Sequence, residues 1–111
     1  MERPELSISV ERTADEAVVT LAGEIDILTV ARLSDVVNEL LSDPPPRIVV
    51  DMGGVTFCDS QGLGTLVVLS RKSTTAQSLL VLTNVAGFLL RVLDITGLRS
   101  ALVIRNEPVR G

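Results

Sequence analysis

Beyond Thr29 the apolar residues of this chain switch repeatedly between two spacings, and that alternation restricts the possible folds more than any other feature. Val30, Leu33, Val36, Val37, Leu40 and Leu41 recur at steps of three and four, the stripe of an amphipathic helix that ends near Ser42, with Thr29 available as its N-cap. Pro44-Pro45-Pro46 then forbids helix and forces an extended connection. Ile48-Val49-Val50 follows as a short unbroken apolar run, which suggests a strand covered on both faces. Helical spacing returns from about Ser60 to Ala76, with apolar Leu63, Leu66, Val67 and Leu69 and a polar tail from Arg71 and Lys72 that suits the helix dipole. Ser78 to Thr83 reads as another strand, Phe88 to Asp94 as a third helix stopped by Gly97, and Leu102-Val103-Ile104 as a last strand. Strand, helix, strand, helix, strand implies parallel pairing through right-handed crossovers.

Ahead of this unit, Leu6 to Val10 alternates strictly, and Ala17 to Leu21 follows after a polar turn at Thr13 to Glu16. These two segments predict an antiparallel hairpin added to one side of the sheet. The expected fold is α/β, a single domain over residues 1–111, with a mixed sheet of about five strands, parallel βαβ units and about three to four helices. A chain of 111 residues is long enough for one core without disulfides or metal. Phe57 and Phe88 are its only aromatic residues, so the core is built from Leu, Val, Ile and Ala, and Phe57 is most simply a core residue.

Several functions are disfavoured by what the chain lacks. A formal charge of −4 argues against nucleic-acid binding, whose affinity comes largely from basic side chains on phosphates, and no Trp or Tyr offers a stacking platform. No apolar run reaches a membrane span and no secretory leader is visible, so the expected location is cytoplasmic, without membrane insertion. Cys58 stands alone and His is absent, which removes disulfides, thiolate-rich metal sites and the usual general base. We therefore expect no enzyme activity, no cofactor and no metal, and a protein partner instead. Asp51 and Asp59 alone are too few ligands for a metal, and read as structural or docking residues.

The densest signal is Asp51-Met52-Gly53-Gly54-Val55-Thr56-Phe57-Cys58-Asp59-Ser60-Gln61-Gly62-Leu63-Gly64, read as a glycine-containing junction between the central strand and the second helix. It resembles the signature of the STAS family: Asp, a few residues, an apolar residue, then Asp-Ser-Ser-Gly-Leu-Gly. Gly23-Glu24-Ile25-Asp26 is similar to the family's Gly-Glu-Leu-Asp, and Leu93-Asp94-Ile95-Thr96-Gly97-Leu98 to its late helix-to-strand turn. Gln61 departs from the pattern by replacing the second Ser. Pro108 and the short tail from Asn106 to Gly111 leave little for the C-terminal helix many members carry.

The resemblance to lone-domain members implies an anti-sigma factor antagonist. Unphosphorylated, such a protein binds an anti-sigma factor that is also a serine kinase and frees the sigma factor; phosphorylation of the serine matched by Ser60 reverses this, and a phosphatase resets it. Implied partner-binding residues are Asp26, Asp59, Ser60, Gln61, Gly62, Leu63 and Gly64. Independently of the resemblance, the chain is expected to be a monomer or weak homodimer: the hairpin edge is available for pairing between chains, but nothing in the sequence demands it. The alternative the family offers is a lone STAS subunit docking on a membrane transporter or the ATPase component of an ABC system. Phosphate on Ser60 would bring about −1.5 to −2 charges beside Asp59 and near Asp26, while the helix N-terminus offers it a favourable seat.

The residues also admit plainer readings. Ser60 or Asp59 can cap the second helix. Asp26 can be a turn residue. Gly62 and Gly64 either admit a partner backbone or relieve packing against a strand. Cys58 reads as a buried, inert thiol, and Ile27 and Leu28 as exposed apolar residues available to a partner.

Overall fold

The computed structural model describes residues 6–106. Strands β1 (Ser7–Arg12) and β2 (Glu16–Ile25) form the N-terminal hairpin, followed by α1 (Val30–Leu41), β3 (Arg47–Cys58), α2 (Ser60–Thr75), β4 (Leu79–Thr83), α3 (Gly87–Thr96), a short 3-10 turn (Leu98–Ala101) and β5 (Val103–Ile104). The sheet order is β1-β2-β3-β4-β5, antiparallel between β1 and β2 and parallel elsewhere. Three helices and a mixed five-stranded sheet match the expected architecture. The question of a C-terminal helix at Pro108 lies outside the described residues.

Alternation along the strands sends Val19, Leu21, Ile48, Val50, Leu80 and Leu82 to one face, where they share a single core with Leu33, Val37, Leu66, Leu69, Leu89 and Leu93 from the three helices. All three helices therefore lie on that face. The opposite face carries the row Val18, Val49, Val81 and Val103, of which only Val81 is buried. Cover on both faces, expected from the unbroken Ile48-Val49-Val50 run, is thus corrected. A β-branched residue is as compatible with a partly exposed pleat as with a buried one.

A second correction concerns the length of β3. The strand does not stop at Val50; it runs on through both glycines to Cys58, and the junction shrinks to Asp59 alone. Between the Thr20–Asp51 and Ile25–Cys58 pairs β3 contains two more residues than β2, taken up by irregularities after Thr20 and after Gly23. A Cβ on Gly54 would stand 2.8 Å from the Ala22 Cβ and 2.9 Å from the Leu21 carbonyl oxygen, so the strands approach closely only because that residue is Gly. The Asp51 carboxylate braces the first irregularity, accepting from the Gly53 N–H at 2.9 Å and the Asn84 amide at 3.1 Å. After the second, the side chains change faces. Val55 is buried but Phe57 is 46% exposed, which overturns its assignment to the core.

Candidate functional site

The ends of β2 and β3 meet where Ile25 pairs with Cys58 and the Asp59 N–H donates to the Ile25 carbonyl at 3.1 Å. From there each chain turns into a helix, and the two turns are built by different carboxylates. Asp26 folds its side chain back to accept from the Leu28 and Thr29 N–H groups at 2.9 and 3.1 Å. Thr29 stands at the N-cap of α1 as expected, but its hydroxyl makes no capping bond to the helix. Its Oγ1 accepts from the Asp26 N–H at 2.9 Å and donates to the Glu24 carbonyl at 3.0 Å, so it closes the turn while Asp26 supplies the acceptor.

At α2 the capping residue is Asp59, whose Oδ1 accepts from the Gly62 N–H at 2.8 Å. The Ser60 hydroxyl is consequently released from capping duty. It is exposed and makes no hydrogen bond to a described residue. This also alters the expected seat for a phosphate on Ser60. The helix end already holds a carboxylate, so an added anion shares that end with Asp59 instead of having it to itself.

Ser60 lies at the edge of a shallow groove lined by Ser34 of α1 and by Ser60, Gln61, Gly64, Thr65 and Val68 of α2. Ser34, Thr65 and Val68 are not singled out by the sequence; for Thr65 and Val68 the available signal is their i+4 and i+8 spacing from Gln61 and Ser60, whereas Ser34 comes from α1 and no spacing points to it. The two glycines of the motif play separate parts. A Cβ on Gly62 would meet the Cys58 Sγ at 2.7 Å, the Ile25 Cγ2 at 2.8 Å and the Ile25 oxygen at 3.0 Å, so that glycine lets α2 pack against the strand ends. Gly64 faces open space, with nothing within 4 Å of such a Cβ. Leu63 is buried in the core, and with Gly62 it shapes the site from beneath, while Gln61 and Gly64 are presented outward.

Apolar surface adjoins the turns. Ile27 is 65% and Leu28 58% exposed, as expected for residues available to a partner, and Phe57 joins them from β3. Cys58 packs beneath Gly62; burial first, and the neighbouring Asp59 charge second, push its thiol up to about 12, which keeps it protonated and unreactive at neutral pH. Asp51 stands apart, engaged with Gly53 and Asn84. Among the described residues no three acidic, Cys or His side chains are grouped to hold a metal.

The family model described as "Mlab, STAS domain" matches residues 8–104. The chain belongs to the STAS family. An anti-sigma-B factor antagonist of Listeria monocytogenes is 31% identical to this STAS chain over 96 residues, covering 86% of the chain and 84% of the relative. The anti-sigma-F factor antagonist RsfB of Mycobacterium tuberculosis is 39% identical over 56 residues, half of this chain; the match spans 46% of RsfB. Among solved structures, an anti-sigma factor antagonist from Mycobacterium paratuberculosis superposes with a TM-score of 0.81 at 25% identity, covering 93% of this chain and 87% of that one. The STAS fold of this chain is thereby shared along almost its whole described length.

Proposed function

We propose that this STAS chain is an anti-sigma factor antagonist, a single non-enzymatic domain acting in the cytoplasm. In its unphosphorylated form it binds an anti-sigma factor and releases the sigma factor. Phosphorylation of Ser60 by the partner's serine kinase activity switches binding off, and a phosphatase restores it. The observation that carries this reading is the exposed Ser60 hydroxyl, freed by the Asp59 cap and placed in a groove lined also by Ser34, Gln61, Gly64, Thr65 and Val68. The names borne by its relatives point the same way.

Docking on this surface would bring Ser60, Gln61, Gly64 and the turn at Asp26 against the partner, with Ile27, Leu28 and Phe57 supplying apolar area. A phosphate adds about −1.5 to −2 charges at the centre of that contact, beside the Asp59 carboxylate. Repulsion and the desolvation of a multiply charged group then oppose the complex without requiring the domain to change fold. The test is incubation with candidate anti-sigma kinases and ATP, phosphate mapping by mass spectrometry, and binding by wild type, Ser60→Ala and Ser60→Asp. Phosphate confined to Ser60, with binding kept by Ser60→Ala and weakened by Ser60→Asp, supports the switch. Binding of an isolated transporter or ABC ATPase component, with no response to any anti-sigma kinase, overturns it.

A further inference from the structure

Strand β1 forms an open edge of the sheet. In an antiparallel ladder, residues alternately direct their N–H and C=O groups toward and away from the neighbouring strand. The Thr13 N–H bonds the Glu16 carbonyl at 2.8 Å, which fixes the phase: Ser7, Ser9 and Glu11 face β2, and Ile8, Val10 and Arg12 direct their backbone groups outward. Leu6 has the same phase as these last three, and its outward carbonyl is taken by the Arg32 guanidinium at 2.7 Å. Three successive outward positions, centred on Val10, remain unpaired by any described backbone group. The strand carries no Pro, Lys or bulge, and its two charged residues, Glu11 and Arg12, stand together at its C-terminal end, leaving Ile8 to Val10 without a charged guard. On the helix side Val10 is 42% exposed and lines an apolar dimple with Val36, Leu40 and Glu39.

We infer that β1 is a self-association edge: two copies of this chain pair antiparallel through β1 about a twofold axis at Val10, joining their sheets into one. The occupant is a second copy because the register is complementary to itself. Val10 opposes Val10 of the second copy, Ile8 opposes Arg12 and Ser9 opposes Glu11, and every outward position finds a mate. A shift of two residues in one direction requires the Leu6 carbonyl that Arg32 already holds. A shift in the other direction sets Glu11 against Glu11, a like-charge pair. Pairing of β1 with the far edge of another copy is limited by β5, which has only two residues. A twofold contact closes on itself, so the assembly stops at the dimer.

The experiment is sedimentation equilibrium of the full chain over a wide concentration range, for wild type, Val10→Pro and Val10→Lys. Proline deletes the outward N–H and leaves the bonds to β2 in place; lysine sets two like charges across the axis. Wild type is expected to dimerise reversibly, and each variant to weaken the dimer about tenfold or more. Thermal unfolding of each variant confirms that the fold survives, and Val10→Lys decides alone if proline disrupts β1. A wild type that is monomeric at every concentration, or a dimer unchanged by Val10→Lys, overturns the inference.

Discussion

Two glycines separated by a single residue of α2 have opposite surroundings, and substitution separates them. Alanine at Gly62 gains about 1 kcal/mol of helix propensity, but its Cβ meets the Ile25 backbone oxygen at 3.0 Å and the Cys58 sulfur at 2.7 Å. Overpacking of this kind costs about 1–3 kcal/mol, so Gly62→Ala is expected to lower stability or at best leave it level. Gly64→Ala meets nothing and is expected to raise stability by up to about 1 kcal/mol in urea unfolding. A bulkier Gly64→Leu leaves the fold intact and fills the groove, so the proposed anti-sigma factor binding falls by about tenfold or more in a titration. Unchanged binding by Gly64→Leu would show that the partner docks elsewhere. Cys58 supplies a second prediction at this scale. Its thiol is raised from 9.0 to about 12 in the folded chain, so the folded state keeps the proton while the unfolded state releases it. The stabilisation is full below about pH 9 and is lost as pH rises toward 12. Cys58→Ala is expected to make unfolding free energy less steeply pH-dependent across that window, as measured by urea melts.

At the scale of elements the informative strand is β3, held to β2 through two irregularities. Gly54→Val is expected to cost about 2 kcal/mol or more, because its side chain is driven into Ala22 and the Leu21 carbonyl. Gly53 has more room, with the Asp51 Oδ1 3.1 Å and the Asn84 Cβ 3.4 Å from its Cβ position, so Gly53→Ala costs less in the same melts. Equal losses at the two positions would show that the bulge itself, and not the approach to Ala22, sets the cost. The same strand explains what the sequence could and could not reveal. Helices and strands with clean periods, such as Leu33, Val37 and Leu40 in α1, were legible because one face of each is buried. The extension of β3 was not, since Gly53-Gly54 reads as a turn and an irregularity resets the alternation that would reveal a strand. Phe57 was misplaced for that reason. The motif residues Asp59 and Ser60 were found, but the choice of which one caps α2 depends on a 2.8 Å contact no spacing encodes. Asn106, whose side chain pairs with both the N–H and the carbonyl of Val85 at 2.8 Å, gave no pattern at all.

Over the described residues the molecule is a one-sided layer, with three helices on one face of the sheet and a row of valines on the other. Its core therefore depends on residues that contact several elements at once. Leu82 is fully buried on the helix face of β4, within the core that also holds α2 and α3 residues. Leu82→Ala is expected to cost about 2–5 kcal/mol, the range for a buried large-to-small change in a core that cannot fully collapse. Val49 sits on the other face, partly exposed, between Val18 and Val81 in the register. Val49→Thr preserves the shape and β-branching and places its hydroxyl where water reaches, so its cost stays within about 1 kcal/mol. Urea melts of the two variants measure the asymmetry directly. A loss at Val49 comparable to that at Leu82 would mean that the valine face is covered in solution, and the one-sided architecture would then be wrong for the protein as it folds.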